Sequence, residues 1–439
     1  MLEQKLSLGK CYYKPSFFNM KIDLPIDLMD LNNLEDGAMG LYFHEYIHYL
    51  QDISTIYGLM NISTITYYIQ ACAHYVQKDK TSFKFKAPID LKDIVNTEDS
   101  NDKGLINFKL RKTYIGSSIS TKYKYIANFN YSIEEQKINN TEKIEKVIIH
   151  FQDTSNNEKV SREFGGTHVT EGMAYLCEQY HYSTILPKAE DYPYGIVTKL
   201  VENIAPEYNN EPLWIIALCD ISLMTYHPGL SFIRLLEYVN SKNELPNNLD
   251  DFYNECLKYI KGNHVDFEIL LDKVLNELQK NFKADYYGDI IKWIEKVFQN
   301  IKILRTQLPS FIIDLIRFGE PRNNVFFSQV MARVGSPLVL NADNEGTISL
   351  PINFNPTGIN FNPGIFMAIN QVLRIFYLNK PSPCQLKEYC LESRKSDPNI
   401  NVDKNCDIAP WKKANEKNLC PVGQIWHHWA LKDYSPNYY

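Results

Sequence analysis

The residues in this chain best suited to chemistry are His44, Glu45 and His48, within the stretch Leu-Tyr-Phe-His44-Glu45-Tyr-Ile-His48-Tyr-Leu at 41–50. Two histidines four apart on a helix stand one above the other on a single face. Both imidazoles can then reach one Zn²⁺, while Glu45 flanks the water that such a metal polarises. The neighbours suit this use: Tyr46 and Ile47 separate the histidines, and Leu41, Phe43, Tyr49 and Leu50 flank them, so the ligands would stand in a dry wall. The chemistry expected is hydrolysis, with Glu45 as general base.

Two histidines leave a catalytic zinc one protein ligand short. The metzincin solution needs a Gly three residues and a His or Asp six residues beyond His48, where this chain has Gln51 and Ser54. A better candidate is Glu171, in Thr167-His-Val-Thr-Glu171-Gly-Met-Ala174 on the first turn of an amphipathic helix, a position the helix dipole also favours for a glutamate. His168, three residues earlier on the same face, is its rival. Asp52, one turn beyond His48, and Asp220, in the apolar run Ile-Ile-Ala-Leu-Cys-Asp220-Ile, can each accept a hydrogen bond from a ligand imidazole. A structural hydrogen bond would explain Asp220 equally well.

In these two blocks the chain resembles the gluzincins, zinc peptidases in which a His-Glu-x-x-His helix is completed by a Glu from a second, antiparallel helix. Glu171-Gly172-Met173-Ala174 looks like the Asn-Glu-Gly-Phe-Ala type segment of their zinc aminopeptidase branch, and 41–50 matches the long, uncharged form of the zincin helix. The resemblance implies His44, His48 and Glu171 as zinc ligands and Glu45 as general base. It spans about 40 of the 439 residues, and two departures stand out. Thr170 occupies the place where the family commonly has Asn, and Glu171 follows His48 by 171 − 48 = 123 positions, well beyond the usual few dozen. A β-rich insertion between the two site helices would account for the extra length. Gluzincin-like enzymes also hold the oxyanion with a Tyr or His from a later helix. That role falls here on Tyr226 and His227, where the helix from Pro212 ends in Tyr-His-Pro-Gly, although a His at that place also serves capping.

The elements that must position these residues are legible from periodicity. A helix is expected from an Asn33 N-cap to Tyr57, closed by Gly58, and a second over about 60–77. Residues 79–162 read as a β-rich insertion, with alternating runs such as Phe83-Lys-Phe85, Leu105-Ile-Asn-Phe108-Lys-Leu110, Tyr123-Lys-Tyr125-Ile and Val147-Ile-Ile-His-Phe151. Residues 78–124 carry 11 Lys/Arg against 6 Asp/Glu, which reads as the solvated face of a sheet or a docking surface for an acidic segment. Helical patterns follow at about 167–185, 195–204, 212–226, 229–242 and 248–261. Two further helices, 265–282 and 284–305, share a heptad-like apolar spacing that suits a packed hairpin. After Gly319-Glu320-Pro321 the pattern is mixed, with a helix at about 364–378. The fold class expected is α+β, mainly helical: a zincin-like core from 1–78 and 163–310, the insertion 79–162, and a mixed α/β region 311–439 ending in a Cys-containing tail.

Charged residues at 22% and hydrophobic residues at 44% describe an ordinary globular chain. The balance of 46 Lys/Arg against 52 Asp/Glu, net −6, lacks the basic footprint of a protein that binds nucleic acid. No long apolar run and no secretory h-region stand out, so a cytoplasmic protein without a membrane partner is expected. Five of the nine cysteines (Cys11, Cys72, Cys177, Cys219 and Cys256) lie singly among apolar residues, as reduced buried thiols do. The other four, Cys384, Cys390, Cys406 and Cys420, followed by His427-His428, lack the close Cys-x-x-Cys pairs of common zinc modules, and free thiols are expected there. Phosphate-binding Gly-rich loops and the Gly-x-Ser-x-Gly elbow are missing. The expected function is that of a zinc metallopeptidase acting on a peptide or protein substrate. The alternatives are zinc-dependent hydrolysis of a non-peptide amide or ester, and an inactive zincin-fold binding module.

Overall fold

In the computed structural model, which describes residues 11–438 apart from 26, 29, 79, 97–101, 243–245, 247, 261–263, 284–286 and 358–360, the helical pattern around the histidines divides into α1 (Asp36–Ser54) and α2 (Ile56–Val76). Thr55 makes the division. Its backbone is extended (φ −125°, ψ 154°), its hydroxyl donates to the Gln51 carbonyl at 2.6 Å, and the same oxygen accepts the Gly58 N–H at 3.0 Å. One side chain thus closes the first helix and caps the second. Gly58 is therefore no stop signal. It lies in the first turn of α2, where a Cβ would come within 2.2 Å of the Asp52 carbonyl oxygen, so the sharp corner requires glycine. Asn33 is not the cap either; it belongs to a short 3₁₀ turn capped by Asp30, and α1 begins after Glu35.

Two short strands, β1 (Tyr12–Lys14) and β2 (Asn19–Lys21), precede α1, and β3 (Lys84–Ala87) follows α2. The run at 105–110, expected as a strand, is helical and lies in α3 (Lys103–Ile115). Leu105 and Phe108 satisfy the helical spacing as well as the alternating one. What decides is Asp102, whose carboxylate accepts the Leu105 N–H at 2.9 Å and caps the helix. The rest of the insertion is a meander of β4 (Ile126–Lys137), β5 (Lys143–Asp153) and β6 (Lys159–Phe164), antiparallel throughout, with Val147, Ile149 and Phe151 buried on its inner face.

The remaining helices follow the apolar periodicities up to residue 307, while the helices at 311–317 and 325–334 are not marked by them. They are α4 (Gly166–Tyr182), α5 (Ile196–Ile204), α6 (Pro212–Leu223), α7 (Pro228–Asn240), α8 (Leu249–Tyr259), α9 (His264–Asn281), α10 (Asp289–Gln307), α11 (Phe311–Arg317) and α12 (Val325–Val334). Beyond them lie α13 (Ile365–Tyr377), α14 (Lys387–Ser393) and α15 (Pro421–His428). α9 and α10 pack on each other, burying Phe267, Leu271, Val274 and Leu278 of one and Ile290, Ile294, Val297 and Ile301 of the other. The fold is α+β and mainly helical. No helix among the described residues is long and apolar enough to cross a membrane.

The first and last described segments are woven into this body. β7 (Leu338–Leu340) runs parallel to β2 and antiparallel to β8 (Gly346–Thr347), giving a sheet in the order β1-β2-β7-β8. β9 (Ser435–Tyr438) runs parallel to β3. A single hydrophobic core extends from Tyr13 to Tyr434.

Asp220 turns out to serve the fold. Its carboxylate, on α6, is fully buried and bonded by Arg305 of α10 at 2.8 and 2.9 Å and by the Tyr253 hydroxyl of α8 at 2.7 Å. Arg305 also donates to the carbonyl of Ser54, at the end of α1, at 2.9 Å and to its hydroxyl at 3.1 Å. One guanidinium thus joins three helices to the C-terminus of the histidine helix. Asp220→Ala leaves that cation buried and uncompensated. Chemical denaturation is expected to show a loss of about 3–5 kcal/mol.

Candidate metal centre

α1 and α4 pack antiparallel, with His44 opposite Glu178, His48 opposite Glu171, and Gln51 opposite Thr170. Their close approach is set at Gly40, where a Cβ would lie 2.6 Å from the Leu186 side chain and 3.1 Å from the Tyr182 ring. Across this interface Glu171 Oε2 lies 3.5 Å from His48 Nε2 and 3.9 Å from His44 Nε2. Among the described residues, His44, His48 and Glu171 are the group whose donor atoms all lie within 4.8 Å of one another. Their side chains are 12%, 11% and 19% exposed, so the cluster is partly open to solvent and not sealed in the core.

The ring orientations follow from partners outside the cluster. The Gln51 amide donates to the Thr170 carbonyl at 3.1 Å, so its oxygen is the acceptor facing His48 Nδ1 at 2.8 Å. His48 therefore carries a proton on Nδ1 and turns Nε2 toward Glu171. His44 is placed alike, with Nδ1 2.9 Å from the Glu178 carboxylate and Nε2 toward Glu171. Two imidazoles oriented from behind and one carboxylate form a donor set that fits Zn²⁺, with a coordination position left over. Gln51, which closes the metzincin route in the sequence, is thus the residue that aims His48. Glu178 escapes a sequence reading, although its spacing of seven from Glu171 places it two turns along the same face.

Glu45 is buried, and one carboxylate oxygen accepts the backbone N–H of Tyr13 in β1 at 2.6 Å. The Tyr13 hydroxyl and the Ser16 N–H bond to Asp52 at 2.9 and 2.6 Å, so Asp52 fastens β1 to α1. Burial pushes the Glu45 carboxyl up, and Glu171 adds to this, against the opposing pull of His44 and His48. The imidazoles shift the other way from isolated buried histidines. Burial lowers His44, but Glu171 and Glu178, with Glu45, outweigh it and lift its pKa to about 10; His48 is raised chiefly by Glu171. Glu171 is held well below the ordinary carboxylate range by the two histidines in spite of its burial.

Tyr194 stands beside the cluster, its ring 6.3 Å from that of His44. Burial raises its hydroxyl pKa, and the charges of Glu171, Glu45, Glu190 and Glu178 raise it further, so it stays protonated and able to donate. Lys122 approaches that hydroxyl at 3.2 Å and the ring at 4.9 Å. Tyr194 lies between Pro193 and Gly195 in a short turn, outside any periodic segment, which is why no sequence pattern marks it.

The structure does not bring the pair expected from the resemblance into the cluster. His227 has both ring nitrogens engaged elsewhere: Nε2 meets the Glu145 carbonyl at 2.8 Å, and Nδ1 accepts the Leu230 N–H at the start of α7. Tyr226 is 47% exposed. The chemistry of a helix start thus explains His227. His168 is buried and held between the Gly165 N–H and the Tyr192 hydroxyl, with its pKa driven down to about 4 by burial.

Comparison with known proteins adds little. No family matches this sequence and no solved structure matches this chain. A Caenorhabditis elegans protein described as uncharacterized is 26% identical over 163 residues, covering 37% of this chain and 34% of the relative's length.

The raised imidazole pKa values set a direction for metal binding. Below about pH 10 His44 is protonated in the metal-free chain, and a metal must displace that proton, so apparent zinc affinity rises as pH rises from 6 to 9. Calorimetry in buffers of different ionisation heat is expected to record net proton release. Glu178→Ala or Gln51→Ala, which free a ligand ring to rotate, should each weaken zinc binding about 10–100-fold.

Proposed function

We propose that this chain is a zinc-dependent hydrolase, a metallopeptidase of gluzincin-like arrangement. The observation that carries the reading is the pair of Nε2 atoms and the Glu171 carboxylate facing one another, with Glu45 alongside. His44, His48 and Glu171 would hold the ion, whose Lewis acidity makes a nearby water easier to deprotonate around neutral pH. Glu45 takes that proton as the water attacks a carbonyl carbon. Its Tyr13 bond fixes one carboxylate oxygen, so the other is the acceptor, and its burial-raised pKa suits a group that must take up a proton and give it back to the leaving nitrogen. The Tyr194 hydroxyl donates to the carbonyl oxygen as charge builds there.

The antiparallel pairing of the histidine helix with the helix that carries Glu171, the arrangement of the gluzincins, favours a peptide over other amides and esters. The nine cysteines are free thiols, which supports a reducing, cytoplasmic setting.

Zinc-loaded protein incubated with a peptide library and read by mass spectrometry is expected to cleave, and Glu45→Gln is expected to keep its zinc and lose turnover. Tyr194→Phe should lower kcat by about 10²–10³-fold with KM little changed. A zinc-loaded wild type that leaves every peptide intact would overturn the peptidase reading, and turnover of an amide or ester library would then redirect it.

A further inference from the structure

The four cysteines of the C-terminal tail, distant in sequence, line one small closed cavity of about 10 Å³. Cys384 precedes α14, Cys390 lies within it, Cys406 belongs to the turn at Asn405–Ile408, and Cys420 is the N-cap of α15. All four are free thiols, Cys406 buried and the others half-buried. No histidine or acid shares the lining. Four unrelated apolar thiols would be expected to spread through a core as small hydrophobes rather than to share one void.

Burial raises the thiols of Cys384, Cys390 and Cys420 in the metal-free chain, while nearby N–H groups act in the opposite direction on Cys384 and Cys420. The Gly423 N–H points at the Cys420 sulfur at 3.4 Å, joined by that of Val422, and the Leu386 N–H points at Cys384. Lys413, only 2% exposed, borders the cavity with its ammonium group anchored on Asp403, Glu416 and the Asn401 carbonyl. The segment is irregular: its α-helices are 7, 4 and 8 residues long, joined by turns, and the Cys384 N–H bonds the Cys406 carbonyl at 2.7 Å, which brings two of the four cysteine positions together.

We propose that Cys384, Cys390, Cys406 and Cys420 form a structural zinc site of four thiolates, separate from the His44–His48–Glu171 cluster. The sulfurs ring the cavity rather than meet, since no three of them have the mutual 4.8 Å spacing of that cluster. A tetrahedral site needs each sulfur about 2.3 Å from the ion, so the four side chains would have to turn toward the void on binding. Four thiols give up four protons and one Zn²⁺ enters, so the site would carry a net charge of 2 − 4 = −2, offset in part by the N–H groups at Cys384 and Cys420.

The test uses the full chain, purified under reducing conditions. The His44→Ala/His48→Ala variant should retain about one zinc by elemental analysis. Replacing that zinc with Co²⁺ should give the intense near-ultraviolet sulfur-to-cobalt bands that histidine and carboxylate ligands do not produce. Adding Cys390→Ser and Cys420→Ser should remove the remaining zinc and lower the Tm. Should those serine variants fail to fold, the cobalt spectrum decides with every cysteine intact. An absence of zinc in the double histidine variant with all thiols open to alkylation, iron in place of zinc, or disulfides among these four residues would each overturn the proposal.

Discussion

Everything in this molecule answers to the burial of charge between α1 and α4. Glu45, Glu171 and Glu178 share that interface with two imidazoles, and an unpaired ion there would cost several kcal/mol. Each group therefore has a partner: a strand N–H for Glu45, imidazoles for Glu171 and Glu178, and an amide bridge for His48. The carboxylates raise the pKa of both imidazoles, so the interface favours positive charge at the rings, the same preference that suits a divalent cation there.

The insertion between the two site helices is more than a detour. Tyr123, at its inner end, bridges to Tyr192, and the Asp191 carboxylate accepts the Ile126 N–H at 3.1 Å where β4 begins. Together with Lys122 these bonds fix the turn that carries Tyr194. The added residues thus hold the turn beside the cluster, and they occupy the long stretch of sequence between His48 and Glu171.

The local parts of this arrangement were legible because they are local. A spacing of four put His44 and His48 on one face, and an acidic first-turn residue with an apolar helix behind it marked Glu171. What sequence could not rank were residues whose value depends on a distant partner. Asp220 and Asp52 had the right chemistry to orient a ligand ring but were taken up by Arg305 and by β1. Gln51 looked only like a missing glycine. His227 matched a role by type and place, while the carbonyl of Glu145, 82 positions away, had the stronger claim. The run at 105–110 satisfied both periodicities, and the cap at Asp102 decided between them.

The parallel pairing of β2 with β7 joins residues 19–21 to 338–340, and β3 with β9 joins 84–87 to 435–438. On a ribosome, at about 5–20 residues per second, the strand that completes the sheet beside Tyr13 follows α1 by roughly 15–60 s. Closing loops of that length is slow, so both pairings belong to the last stages of folding. Chain order thus acts as a timer: the sheet that holds Tyr13 against Glu45 gains its third strand only after the chain has grown by 338 − 54 = 284 residues beyond the histidine helix.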